Sequence, residues 1–99
     1  MSTMNGSRLS SRLTQLGQIG FVPGEGTTRL PYTPVYDEGR AYVQQCMEQA
    51  GLQTSVDAVG NLAGTLPGKG KTICIGSHID TVPGGGIYDG TYGVLAGIE

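Results

Sequence analysis

The residues best suited to chemistry cluster in two short stretches, Gly76-Ser77-His78-Ile79-Asp80-Thr81-Val82 and Gly85-Gly86-Ile87-Tyr88-Asp89-Gly90. His78 is the single histidine of the sequence. Residues two apart in an extended chain share a face, so Asp80 can reach the His78 ring. A carboxylate that accepts one ring N–H fixes the tautomer and aims the other nitrogen at a metal. Asp89 follows on a loop whose glycines let the backbone come close to whatever it surrounds. An imidazole and a carboxylate from adjacent loops suit zinc, manganese or a similar divalent cation. By spacing alone two readings stay open: a metal site, or a hydrogen-bonded His–Asp pair among glycines that only punctuate turns.

These residues need elements to hold them. Thr72 to Ser77, through Ile73, Cys74 and Ile75, is apolar enough for a strand buried on both faces of an α/β sheet. His78 then lies where that strand runs out, the place where functional groups gather in such sheets. A helix beginning near Gly90, with Val94, Leu95 and Ile98 as its apolar face, is still running at Glu99. Upstream, Leu9, Leu13 and Leu16 recur at helical spacing over Arg8 to Leu16, after a disordered start at 1–7. Phe21 to Pro31 reads as loop, with Pro23, Gly24, Gly26 and Pro31 as turn formers. Thr33-Pro34 opens a second helix, with Val35, Tyr42, Val43, Cys46, Met47 and Ala50 as its stripe and Gly51 as its stop. Gln53 to Val59, with Val56 and Ala58 inward, turns at Gly60-Asn61 into Leu62 to Leu66. Gly64 to Thr72 only loosely resembles a phosphate-binding loop: Thr65 stands where that motif needs glycine, and a strand follows instead of a helix. Elements so few and short bury little surface, so residues 8–99 read as the front of a larger domain.

Composition narrows the class. Hydrophobic residues make up 37% and charged residues 14%, which favours a folded segment, while 18 glycines signal loops and close approaches. A formal charge of −2 argues against nucleic acid or an anionic membrane as partner. No run approaches the ~20 apolar residues of a membrane span, and Met1 to Leu13 lacks the apolar core of a signal peptide. A cytoplasmic location is expected. Cys46 and Cys74 are expected to be buried and reduced.

The string GSHIDTVPGGGIYDGTYGVLAGIE is similar, nearly residue for residue, to the metal-binding segment of the N-carbamoyl-L-amino-acid hydrolase and allantoate amidohydrolase family of dinuclear-zinc, peptidase-like amidohydrolases. Gly26-Thr27-Thr28-Arg29-Leu30, Ala50-Gly51-Leu52 and Asp57 to Gly64 also fit that family, so the resemblance runs from about Leu9 to Glu99. Arg29 reads either as a residue that binds substrate or positions a loop in the full enzyme, or as a surface arginine. The glycine run before Asp89 resembles carbamoylases more than the related deacetylases. The resemblance implies the N-terminal part of a three-layer α/β/α zinc-peptidase-like fold with a mixed sheet, its dimerisation domain inserted later in the chain. It implies two divalent metal ions (Zn, or Mn, Co or Ni), with His78 binding one, Asp89 bridging both and Asp80 orienting His78. A small ureido or amide substrate and a homodimer are implied for the full-length family. A general-base glutamate, a ligand glutamate and two further histidines are implied as well. The single histidine and Glu99 supply none of them, so the 99 residues alone are expected to be inactive. Two rivals are kept: a peptidase or deacylase of the same group, and a non-enzymatic remnant or small binding module.

Overall fold

In a computed structural model of the chain, residues 4–99 are described. Helices α1 (Gly6–Gln18), α2 (Pro34–Gln49) and α3 (Thr91–Ile98) pack together, with two hairpins, β1 (Phe21–Val22) with β2 (Gly26–Thr27) and β3 (Gln53–Val56) with β4 (Leu62–Thr65). Leu9, Leu13 and Leu16 of α1, Val43, Cys46 and Met47 of α2, Leu95 of α3 and the loop residue Ile79 form the core. The helical spacings in the sequence therefore point inward as expected, except at Ala50, which caps α2 and is exposed.

The start of α1 and both ends of α2 have a local cause. The Asn5 side chain accepts from the Arg8 N–H at 3.0 Å, which starts α1 at Gly6, two residues before the expected start. Of the stretch 1–7 expected to be disordered, 1–3 lie outside the described residues and 6–7 are helical. The Thr33 hydroxyl accepts from the Tyr36 N–H at 3.2 Å, with Pro34 in the first turn, so α2 opens as its cap chemistry dictates. At its far end Gly51 has φ 86°. Leu52 N–H donates to Met47 O and Gly51 N–H to Glu48 O, both at 3.0 Å, the pair of bonds that closes a helix on a left-handed glycine.

Several expectations change. The loop 21–31 contains the short β1–β2 hairpin. The β3–β4 pairing is antiparallel as expected, but its register differs: β3 ends at Val56, which pairs with Leu62, and the turn spans 57–61. There the Asp57 carboxylate accepts from the Val59 and Asn61 N–H groups at 3.0 and 2.9 Å, which favours a wider loop over a two-residue one. Val56 and Ala58 are exposed, because only one face of this hairpin meets α2. The largest difference is at 72–77, where no ladder forms and Ile73 and Ile75 are 88% and 75% exposed. A strand is buried on both faces only when neighbours and covering layers exist, and no described strand runs beside this one. Cys74 is exposed with it, while Cys46 is buried. The chain does mix helix and sheet, but the sheet of the described residues is antiparallel throughout. No described helix is long and apolar enough to cross a membrane.

Glu99 joins the two ends. Its carboxylate accepts from the Asn5 N–H at 3.0 Å, from Arg8 Nε at 2.9 Å and also from Arg8 Nη2, with Arg12 Nη1 at 3.8 Å. The Arg8 hydrogen bonds, first among these causes, pull the Glu99 carboxyl down to about 2 from an ordinary 4.5. A depressed folded-state pKa adds stability above the unfolded value and loses it as pH falls through the folded one. Melting temperature is therefore expected to fall between about pH 4.5 and 2 more steeply in the native sequence than in Glu99→Gln. Parallel curves for the two proteins would reject the role of this contact.

Candidate metal centre

Two buried residues set the direction of the chain at the cluster. Ile79 sits in the helical core and Thr81 is buried, while His78 and Val82 are exposed and Asp80 is half-buried. This alternation is the period of extended chain, which puts His78 and Asp80 on one open face. The Thr81 hydroxyl donates to Thr27 O at 3.0 Å and accepts from the Arg29 N–H at 2.9 Å. Thr81 N–H donates to Arg29 O at 2.9 Å. The loop that follows is fastened by paired Thr27 and Gly85 N–H···O bonds of 2.9 and 2.7 Å, and by Thr91 Oγ1 donating to Ile87 O.

His78 Nδ1 lies 3.2 Å from Asp80 Oδ1 and 3.1 Å from Asp80 O. Both partners are acceptors, so the proton belongs on Nδ1, an assignment that rests on this bonding pattern. Nε2 is then left with a lone pair, and it faces Asp89 Oδ2 at 3.9 Å. That separation is too long for a hydrogen bond. Two acceptors turned towards each other repel unless a cation or a proton lies between them. Zinc bonds to nitrogen and carboxylate oxygen are each about 2.0–2.2 Å, so one ion can touch both groups across this gap. The Asp89 side chain is 91% exposed and His78 about half, so the gap is open to solvent.

The donor set fits two ligands of such a centre and a carboxylate behind one of them. It does not fit a closed centre of about four ligands, and no cluster of three or more possible ligands exists among the described residues. The three residues singled out by sequence are thus brought together, with Tyr88 and Tyr92 exposed beside them. A cleft of about 450 Å³ between α2 and the β3–β4 hairpin, lined by Tyr36, Arg40, Asp57 and Asn61 among others, includes none of the three.

Two glycines and an arginine escape a reading of ligand types. Gly90 has φ 73°, and a Cβ there would overlap His78 Nδ1, Cε1 and O. Gly17 faces Ile87 so closely that a Cβ would lie 2.9 Å from the Ile87 Cβ. Arg29, which could have been a surface residue, is fully buried. Burial lowers its pKa, opposed by the nearby Tyr36 and Asp80.

No family model matches the chain. It is 41% identical over 99 residues to an N-carbamoyl-L-amino acid amidohydrolase of Geobacillus stearothermophilus, covering 97% of this chain and 24% of that protein. An allantoate amidohydrolase of Bacillus subtilis is 46% identical over 84 residues, 82% of this chain and 20% of that one. Among solved structures, a hydantoinase/carbamoylase family amidase from Burkholderia ambifaria superposes with a TM-score of 0.92 at 43% identity, over 97% of this chain and 24% of its own. The chain spans about a quarter of the length of the proteins it matches.

Proposed function

We propose a function from one premise: over the quarter of their length that it spans, the chain belongs to the hydantoinase/carbamoylase family of amidases. On that premise the complete protein hydrolyses a linear C–N bond of a ureido or amide substrate, an N-carbamoyl-L-amino acid or allantoate. The observation that carries this is the pairing of acceptors, with His78 Nδ1 committed to Asp80 and Nε2 turned to Asp89 across 3.9 Å. His78 and Asp89 would hold divalent metal, Asp89 bridging two ions, and Asp80 would hold the His78 ring in the tautomer that leaves Nε2 free. When bound, the ions supply Lewis acidity towards the substrate carbonyl and a more acidic water. The open face beside Asp89 admits a small polar substrate, while Ile79 keeps solvent from the inner side of the segment. Unpaired Cys46 and Cys74 suit a reducing compartment such as the cytoplasm. A homodimer of the complete protein belongs to the same proposal.

The test is hydrolysis of N-carbamoyl-L-amino acids and of allantoate by the complete protein, before and after chelation. Activity is expected to vanish with the metal and to return with zinc, manganese or cobalt. An undiminished rate in metal-free protein would sink the reading. The 99 residues alone are expected to show no turnover and no tight binding of two metals, because they supply one histidine in all.

A further inference from the structure

We propose that Arg29 is the positioning residue of this centre, fixing the backbone on both sides of Asp80 against the end of α1. The inference rests on the metal reading above and deepens it. Arg29 Nε donates to Ile79 O at 2.8 Å, and its main chain exchanges hydrogen bonds with Thr81. The two residues flanking Asp80 are therefore both held by one residue, and His78 is the next in line. On its other edge the guanidinium donates through Nη1 to Leu16 O at 2.9 Å and Ile19 O at 2.7 Å. Those carbonyls close α1, where the helix leaves acceptors unpaired and favours a cation. The rigid planar fork thus spans from a helix end to the segment that bears His78 and Asp80.

An arginine is a costly way merely to fill this space. None of the ion pairs among the described residues includes it, and its buried Nη2 has no hydrogen-bond partner among them. Removing a cation from water without an ion-pair partner is unfavourable, and an apolar side chain of similar volume would avoid it. No apolar side chain, however, could hold the Ile79 carbonyl at a fixed distance from α1. Helix α2 makes room for the fork: a Cβ at Gly39 would lie 2.7 Å from Arg29 Cδ and 3.2 Å from Nε. Glycine inside a helix is itself unfavourable relative to alanine, so its place in mid-α2 is accounted for by the arginine that crosses it.

The test compares Arg29→Lys, Arg29→Met and Gly39→Ala in the complete protein, with cobalt as the probe. Circular dichroism reports folding, competition titration the cobalt affinity, and the visible d–d spectrum the geometry around the ion. Arg29→Met and Gly39→Ala are expected to lose about 10–100-fold in cobalt affinity, the usual effect of disturbing the groups that orient ligands. The cobalt spectrum should shift, and kcat should fall with KM nearly unchanged. Arg29→Lys should recover part of the loss, because one ammonium can reach one of the carbonyls. Should Arg29→Met not fold, Gly39→Ala, which retains every hydrogen-bonding group, carries the comparison with Arg29→Lys. Folded variants with native cobalt affinity and spectrum would overturn the proposal. A native protein that takes up no cobalt, zinc or manganese would instead overturn the metal reading and this inference with it.

Discussion

Alanine at Gly90 is expected to lower metal affinity in the complete protein about 10–100-fold, as loss of an orienting contact does, while alanine at Gly86 leaves it unchanged. The two glycines lie on the same loop and differ in what surrounds them. Nothing lies within 4 Å of a Cβ at Gly86. At Gly90 the added carbon would overlap the His78 ring at Nδ1 and Cε1 and the His78 carbonyl. Neither party has an easy retreat. The backbone holds φ 73°, a conformation that costs a non-glycine residue of order 1–3 kcal/mol, and Ile79 anchors the chain beside His78 in the core. The ring must therefore swing outward, and the Nδ1 contact to Asp80 that sets its tautomer is lost. Competition titration of zinc against a chromophoric chelator, with thermal melts alongside, checks both variants. A Gly90→Ala protein that folds and binds zinc as tightly as the native one would contradict the tautomer argument, and with it the role given to Asp80.

What the sequence disclosed of this site was the ligand types and little of their support. His78 and Asp80 could be placed on one face because extended chain has a period of two, and that alternation survives even though no strand forms there. Asp89 could be placed near them only through resemblance, since nothing in its spacing specifies where a glycine-rich loop folds back. The three helices were legible from Leu9, Leu13 and Leu16, from Thr33-Pro34, and from Val94, Leu95 and Ile98, because their apolar spacing and caps act locally. Arg29 was not. A buried arginine looks like a surface one until its acceptors are known, and those are main-chain carbonyls of Leu16, Ile19 and Ile79, which carry no sequence signature. The one available signal was Gly39, a glycine in mid-helix with no turn to explain it. The reading of 72–77 as a buried strand failed for a different reason. Apolar composition states what a segment requires of its surroundings, and the surroundings within these residues do not provide it.

That mismatch at 72–77 yields the other large effect, one of opposite sign in two settings. Ile73 and Ile75 stand exposed on a segment paired with no strand, which offers free N–H and C=O groups together with apolar side chains, the combination that templates association between chains. The 99 residues alone are expected to self-associate at micromolar concentration. The double substitution Ile73→Lys, Ile75→Lys should move them towards the monomer mass in light scattering with little change in melting temperature, since exposed side chains contribute little to folding. In a chain of the relatives' length the same run is expected to be covered. Burial of an isoleucine side chain is worth about 1.5–3 kcal/mol, and placing an unpaired ammonium in a sheet interior costs more than the lost contact. The double variant of the complete protein should then lose at least about 3 kcal/mol in urea denaturation, by the same burial figure taken twice. If it instead matches the native stability, the segment is a surface strand in both settings, and its apolar composition serves something other than a core.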